Sequence, residues 1–208
     1  MDTLSAALFL KCALWVYAAG ILGGLVFSRT DRLANGISFG CATLGGALGI
    51  TSAILVLLPG STSSPVTFEL WTSLVPYVKL SVKLDPLGAF FLLTLSVLAV
   101  ALSIYSFGYA RAFYGRKPVG LLGAFFNALL LATTLVFTAS NAFFFLIAWE
   151  IMALTAYCLV SFEHEKPETR KAGVLYFVMS HVGTGCLILA FLLLFQTTHD
   201  YSFGSQPG

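Results

Sequence analysis

The sequence predicts an all-α integral membrane protein with six transmembrane helices and a small β-hairpin after the second helix. Two observations predict this fold class. The chain of 208 residues is 58% hydrophobic and only 10% charged, whereas an average soluble domain is roughly 25% charged. In addition, six windows are apolar over about 20 residues, the length that a helix needs to cross a bilayer.

The six spans form one predicted membrane domain over residues 1–208. They cover approximately residues 4–27, 37–58, 86–107, 119–138, 142–162 and 172–196. In and beside the first two spans, three glycine pairs have the spacing that lets helix backbones approach closely in lipid. These pairs are Gly20 with Gly24, Gly36 with Gly40, and Gly45 with Gly49. We expect all three pairs to pack against neighbouring helices.

The predicted hairpin lies between the second and third spans, at about residues 66–84. There the chain passes from a Ser/Pro-rich turn, PGSTSSP, into YVKLSVKL, where apolar and polar residues alternate from Tyr77 to Leu84. Strict alternation is typical of a strand, and we expect the hairpin on the outer face of the membrane. Asp85 follows it at the start of the third span. Because the helix dipole stabilises an acid in the first turn, we assign Asp85 a structural role.

The distribution of Lys and Arg predicts the orientation. The loops after the first, third and fifth spans carry eight of these residues, whereas the loops after the second and fourth carry only Lys79 and Lys83. Since Lys and Arg are enriched on the cytoplasmic side, we expect those three loops inside and both termini outside, in the cell's inner (plasma) membrane. The formal net charge of +2 is too small to indicate a nucleic-acid surface.

One carboxylate lies where only hydrocarbon is expected. Glu150 stands in FFFLIAWEIMALTAYCLV, about 18 Å from the cytoplasmic end of the fifth span. A charge in mid-helix costs roughly 2.5–3.5 kcal/mol on insertion scales, so an acid retained there indicates a functional site. Desolvation favours its protonated form and a nearby cation its ionised form, so the group can exchange a proton at physiological pH. A neutral carboxyl that joins helices by hydrogen bonds is the alternative.

Four other polar residues extend this candidate site. Tyr157 and Ser161 lie on the same helical face, between Glu150 and the cytoplasm. His181, in the sixth span, lies within about 4 Å of the same depth. Because a short loop joins the two spans, an imidazole and a carboxylate can meet there or share a water. Thr184 shares the helical face of His181. The alternative for His181 is a purely structural role between helices.

The fourth and first spans carry further candidates. Asn127, Thr134 and Thr138 share one face of the fourth span, which can either line a water-filled path or make hydrogen bonds between helices. Lys11 lies near the outer end of the first span, where its ammonium can extend to the interface; a role in conduction is the alternative. No pattern for a metal, flavin, haem, iron-sulfur cluster or nucleotide is found in the sequence. We therefore expect no catalytic residue and no cofactor in this chain.

Three stretches resemble a known family. LDPLGAFFLL, NAFFFLIAWEIMALTAYCLVSFEHE and RKAGVLYFVMSHVGTGCLILAFLLL are similar to the antiporter-like, proton-conducting membrane subunits of complex I and its relatives. FEHE and SHVGT resemble most closely the large membrane subunit of group 4 nickel-iron hydrogenases, of the hydrogenase-4 and formate hydrogenlyase type. The resemblance covers nearly the whole chain, which would be the N-terminal part of the antiporter-like fold.

The resemblance implies roles and partners. It implies that Glu150 is a channel residue that relays protons, and it matches His181 to a polar position of the sixth helix and Asp85 to the acid of the LDPL-like stretch. It also implies other membrane subunits and a peripheral redox module whose subunits carry nickel-iron and iron-sulfur centres. Family members are more than twice as long and pair the glutamate with a lysine in a broken seventh helix. We therefore expect this chain to be an N-terminal fragment or half of a split subunit.

Three functions are compatible with these observations. The first is a proton-translocating membrane subunit of an energy-converting oxidoreductase complex of the hydrogenase, formate hydrogenlyase or NADH-quinone type. The second is a subunit of a multisubunit sodium/proton antiporter, which shares the glutamate. The third is a truncated membrane anchor that does not conduct. Only the third function predicts that replacing Glu150 leaves activity unchanged.

Overall fold

The structure, a computed structural model, describes residues 2–58, 65–71, 80–198 and 203. Within these ranges, six helices are long and apolar enough to cross a membrane, which confirms the predicted fold class. They are α1 (Asp2–Val26), α2 (Asp31–Leu57), α3 (Pro86–Tyr109), α4 (Val119–Thr138), α5 (Ala142–Val160) and α6 (Pro167–Thr198). Short 3-10 turns follow α3 at Ala110–Phe113 and α5 at Ser161–Glu163.

Two helices begin earlier than the hydropathy of the sequence predicts. α2 starts at Asp31 instead of Ile37, and α6 starts at Pro167 instead of Ala172. An acid or a proline is favoured in the first turn of a helix, although it lowers the hydropathy of that turn. Hydropathy therefore located the parts of these helices that can lie in hydrocarbon, and it missed their polar first turns.

The helices form a bundle whose last member is the least covered. α1 packs along α2 and α4, α2 packs along α3, α4 packs along α5, and α5 packs along α6. The most apolar window of α4 is 44% buried, whereas that of α6 is only 6% buried. α6 is thus apolar on faces that no described element covers, as is typical of a helix in contact with lipid or further protein.

Glycine allows the backbones of α1 and α4 to touch. A Cβ placed on Gly24 would lie 2.6 Å from the carbonyl oxygen of Gly120. The other glycines of the first and third predicted pairs also face neighbouring side chains: Gly20 faces Asn127, Gly45 faces Tyr17 and Gly49 faces Ser96. The prediction was wrong for Gly36 and Gly40. No atom of another described element lies within 4 Å of a Cβ at either position, because both lie on the uncovered face of α2.

The two ends of the bundle differ in character. The α1–α2, α3–α4 and α5–α6 loops lie at one end, named the basic end for its eight Lys and Arg residues. At the other, the hairpin end, β1 (Val66–Trp71) pairs antiparallel with β2 (Leu80–Leu84), which confirms a hairpin. Val82 and Leu84 are buried, as the alternation predicts. The turn and residues 77–79 of the predicted strand lie outside the described residues.

Asp85 caps α3, and its replacement tests that structural role. Its Oδ1 accepts a hydrogen bond of 2.7 Å from the backbone N–H of Gly88. We expect Asp85→Ala to lower the free energy of unfolding by about 0.5–2 kcal/mol, and Asp85→Asn to lower it less because the amide oxygen also caps. Thermal unfolding in detergent measures both. An assembled Asp85→Asn complex that has lost proton pumping would contradict the structural role.

Candidate functional site

α5 places Glu150 near the middle of an apolar helix. Asn141 begins the helix at the hairpin end, where its Oδ1 accepts a hydrogen bond of 2.8 Å from the backbone N–H of Phe144. The helix then runs for 19 residues to Val160. Its residues on either side of the carboxylate are apolar over more than one turn. Glu150 therefore lies at the mid-helix depth that the sequence predicts.

The structure brings Glu150 and His181 together across the contact between α5 and α6, named here the α5–α6 seam. Glu150 Oε2 lies 3.5 Å from His181 Nε2. The side chains of His181 and Glu150 are 40% and 32% exposed. A carboxylate that faces hydrocarbon is costly. The exposed side of the pair is therefore where a further polar group is expected.

A second contact of His181 indicates which ring nitrogen carries the hydrogen in the neutral imidazole. His181 Nδ1 lies 2.9 Å from the carbonyl oxygen of Phe177. A carbonyl can only accept, so Nδ1 carries its hydrogen in this contact. Nε2, which faces Glu150, is then a lone pair in the neutral ring and an N–H in the imidazolium. The two groups are complementary when they hold one proton between them, either as carboxylic acid and imidazole or as carboxylate and imidazolium.

Toward the basic end, the seam continues through aromatic and hydroxyl side chains. The rings of His181 and Phe177 lie 4.1 Å apart, and the ring of Phe177 meets that of Tyr157 edge-on at 5.3 Å. Further along, Ser161 Oγ contacts the position that a Cβ on Gly173 would occupy. The face that carries Tyr157 and Ser161 therefore points toward α6, and glycine at position 173 lets the two helices close there.

Toward the hairpin end, aromatic rings fill the seam. Phe145, Phe191 and Phe203 form a triad with centroid distances of 5.7, 6.3 and 5.9 Å. Trp149 stacks on Phe145, and its indole Nε1 is buried without a hydrogen-bond partner among the described residues. The backbone N–H of Phe203 donates to the carbonyl of Ser140 at 2.8 Å. Aromatic rings thus line the part of the seam nearest the hairpin end, whereas Tyr157 and Ser161 bring hydroxyl groups to the part nearest the basic end.

The candidates on α4 lie outside the seam. Asn127 Nδ2 donates to the carbonyls of Ser38 and Gly123, both at 2.9 Å, and so links α4 to α2. Thr134 and Thr138 each donate to the carbonyl four residues earlier in their own helix. These contacts favour hydrogen bonding within the bundle over a water-lined path.

Thr184 and Lys11 also have local contacts that account for them. Thr184 Oγ1 donates to the carbonyl of Ser180 at 3.2 Å, within α6. Lys11 Nζ lies 4.6 Å from the centroid of the Phe68 ring. That cation–π contact joins α1 to β1 at the hairpin end. Neither contact belongs to the part of the seam nearest the basic end.

Phe177 and Gly173 are seam residues that sequence reasoning missed. They precede His181 by four and eight residues, so helical periodicity places all three on one face of α6. Neither side chain titrates or coordinates a metal, and for that reason neither carries a chemical signal in the sequence. Continuing the His181 face toward the basic end would have identified both.

The charged loop between α5 and α6 forms ion pairs. Lys117 Nζ lies 2.5 Å from Glu165 Oε2, and Lys166 Nζ lies 2.6 Å from Glu163 Oε2. The hydrogen bond from Lys117 lowers the pKa of Glu165, and the hydrogen bond that Lys166 donates to Glu163 raises the pKa of Lys166. Within the part of the chain that the structure describes, no group of three or more His, Cys, Asp or Glu residues is placed to hold a metal ion.

The sequence has relatives among membrane subunits of redox enzymes. Residues 139–205, which include all of α5 and α6, match the family described as NADH:quinone oxidoreductase/Mrp antiporter, TM. The chain is 31% identical over 205 residues to hydrogenase-4 component B of Escherichia coli (strain K12). This match covers 99% of this chain and 29% of that protein. It is 33% identical over 185 residues to formate hydrogenlyase subunit 3 of the same organism. That match covers 88% of this chain and 27% of that protein.

A third relative and a solved structure extend these comparisons. The chain is 28% identical over 198 residues to NADH-quinone oxidoreductase subunit L of Mycobacterium tuberculosis (strain ATCC 25618 / H37Rv), covering 91% of this chain and 31% of that protein. It thus spans less than a third of the length of these curated relatives. A chain of the membrane-bound sulfane sulfur reductase, an archaeal respiratory membrane complex, superposes with a TM-score of 0.63 at 19% identity, over 90% of this chain and 38% of that chain. This structural similarity supports the fold alone.

Proposed function

This chain is a relative of the antiporter-like membrane subunits of complex I-related energy-converting complexes, and from that premise we propose that it forms part of a proton-translocating subunit. Glu150 is the proposed protonatable station and His181 its neighbour. The observation that carries the proposal is their 3.5 Å contact between two apolar helices. Placing two ionisable groups among apolar side chains is costly, so packing alone gives no reason to bring them together in the middle of two apolar helices.

The proposed route to Glu150 starts at the basic end. Tyr157 and Ser161 lie on that side of the carboxylate, and each hydroxyl can pass a proton along hydrogen bonds with water between them. On the hairpin side, the aromatic triad of Phe145, Phe191 and Phe203 offers no group that donates and accepts a proton. The difference between the two sides supports access from one direction.

The proposed electrostatic partner of Glu150 is a lysine of a further helix, as the family resemblance implies. The exposed side of the Glu150–His181 pair is where such a group can approach. A cation there would favour the carboxylate and promote release of its proton. The redox reaction belongs to a proposed peripheral module with nickel-iron and iron-sulfur centres, joined through other membrane subunits.

A multisubunit sodium/proton antiporter is the second candidate function. The description of the matching family includes the Mrp antiporter, and that class shares the helix 5 glutamate. The redox assignment is preferred because hydrogenase-4 component B and formate hydrogenlyase subunit 3 match most of the chain. The deciding test of the proton-relay role is proton uptake by a complex that carries Glu150→Gln. If uptake stays normal, the non-conducting anchor is the better explanation.

Cysteine labelling tests the proposed orientation, with the basic end in the cytoplasm. The native cysteines are first replaced by Ser or Ala, and a single cysteine is introduced either at Ser63 or at Arg116. We expect an impermeant thiol reagent added to intact cells to label the Ser63→Cys chain and to spare Arg116→Cys until the membrane is opened. Labelling of Arg116→Cys in intact cells, with Ser63→Cys protected, would show that the orientation is inverted.

A further inference from the structure

Two loops at the basic end are fixed against each other by hydrogen bonds. Asp31 Oδ2 accepts a bond of 2.7 Å from the backbone N–H of Gly115. Asn35 Nδ2 donates to Tyr114 Oη at 2.6 Å and to the carbonyl of Phe107 at 3.1 Å. The first turns of α2, which follow the α1–α2 loop, and the α3–α4 loop are therefore joined into one surface.

This surface carries four exposed arginines: Arg29, Arg32, Arg111 and Arg116. Arg32 follows Asp31 directly and Arg116 follows Gly115 directly, so the Asp31–Gly115 bond joins the two chain segments that carry these arginines. None of the four makes an ion pair within the residues that the structure describes. The guanidinium groups therefore remain available to an external anion.

The acids at this end differ in their partners. Glu165 and Glu163 pair with Lys117 and Lys166, whereas Asp31, next to Arg32, accepts from the uncharged backbone N–H of Gly115 and makes no ion pair among the described residues. These two lysines are thus neutralised, while the arginines of the neighbouring loops are not. Four of the six basic residues of this end that form no ion pair among the described residues are these arginines, and Arg170 and Lys171 of α6 are the other two.

The uncovered face of α2 continues from this charge into the membrane. Arg32, Gly36, Gly40 and Leu44 follow one another at four-residue spacing and therefore share one helical face. A Cβ at Gly36 or Gly40 would meet no atom of another described element within 4 Å, and the Leu44 side chain is 53% exposed. This face is therefore open and apolar, and Arg32 lies at its end nearest the loops.

We infer that Arg32 and Arg116 bind the phosphate of an anionic phospholipid headgroup, while an acyl chain of the same lipid lies along Gly36 and Gly40. The guanidinium fork matches phosphate oxygens bidentately. Tyr105, which is 68% exposed, stacks on Tyr109 in α3 at 6.0 Å, and such rings are typical of the headgroup level. A soluble anion would use the charges but not the apolar face, so the combination favours a lipid. This site is separate from the proton-relay function.

Lipid titration of the purified protein tests the inference. Phosphatidylglycerol, phosphatidylcholine or inorganic phosphate is added in detergent, and thermal unfolding and native mass spectrometry report binding. We expect phosphatidylglycerol to raise the unfolding temperature and to remain bound. Arg32→Gln/Arg116→Gln should weaken its binding about tenfold or more, since each basic residue near an anionic surface contributes roughly 1 kcal/mol. Arg32→Lys/Arg116→Lys should lie between, because it keeps the charge and loses the fork.

The control is Arg170→Gln/Lys171→Gln, which removes the same charge from α6 at the same end of the bundle. It should bind phosphatidylglycerol as the unaltered protein does. Equal loss in both double variants would show a diffuse charge effect and overturn the site. An equal response to inorganic phosphate would overturn the lipid assignment. Absence of any response to phosphatidylglycerol would overturn the proposed lipid site.

Discussion

Glu150→Gln is expected to lower proton uptake by the assembled complex by a factor of about 10²–10⁴, the contribution typical of a positioned proton-transfer group. The amide keeps the volume and most of the hydrogen-bonding capacity of the carboxyl, so a purely structural role would survive the change. Glu150→Asp should fall between, because it retracts the carboxyl by one methylene from His181 Nε2, which is already 3.5 Å away. Proton uptake is measured in sealed vesicles, together with the redox rate of the partner module and a blot for assembly.

Glu165→Gln is the matched control for this experiment. It removes a carboxylate from the loop that follows α5, where Glu165 pairs with Lys117 outside the seam. Uptake by the Glu165→Gln complex should stay within about twofold of the unaltered complex, since exposed ion pairs contribute little. Normal uptake by an assembled Glu150→Gln complex would reject the relay. A failure of both variants to assemble is separated from loss of transport by the blot.

Gly24→Ala is expected to destabilise the bundle by about 1–3 kcal/mol, the usual cost of overpacking a close contact. The added Cβ would lie 2.6 Å from the carbonyl oxygen of Gly120 and 2.7 Å from Ser38 Oγ. Because one of these neighbours is backbone, it cannot rotate away, and α1 must move from α4. Unfolding by a denaturing detergent, followed by circular dichroism, measures the change.

Gly108→Ala controls for the intrinsic effect of replacing glycine in a helix. No atom of another described element lies within 4 Å of a Cβ at Gly108 in α3, so this variant should gain roughly 0.5–1 kcal/mol from the higher helix propensity of alanine. The two variants should therefore shift stability in opposite directions. If Gly24→Ala were as stable as Gly108→Ala, the backbone contact between α1 and α4 would not exist in the folded protein.

Some features of this fold could be predicted from the sequence because they depend on residues close to each other in the chain. Hydropathy located all six helices, and the similar depth of Glu150 and His181 in two consecutive helices was enough to predict that the two groups can meet or share a water. Contacts between helices far apart in the sequence could not be predicted in this way. The spacing of Gly36 and Gly40 shows that this helix face lacks side chains and could allow close approach. Whether another helix packs on it depends on the arrangement of the bundle.

The side chains of α4 illustrate the same limit. Asn127 and Thr134 share a helical face in the sequence, yet Asn127 bonds to α2 and Thr134 bonds within its own helix. The sequence cannot distinguish a polar face that lines water from one that is satisfied by neighbouring carbonyls, because both require the same residue types. Phe203 is another case, since its contacts with Phe145 and Phe191 join segments far apart in the chain.

The hydrogen bond between His181 and the Phe177 carbonyl has an electrical consequence. In the proposed relay, an acid and an imidazole that hold one proton between them form a neutral site, and moving that proton from one group to the other changes only a local dipole. A neutral site avoids the cost, several kcal/mol, of holding an isolated ion in a low-dielectric layer. If Glu150 is the proposed proton station, charge therefore enters the site only when the proton leaves, and a cation approaching the exposed side is then attracted most strongly. The proposal thus predicts electroneutral storage and makes release the voltage-sensitive step.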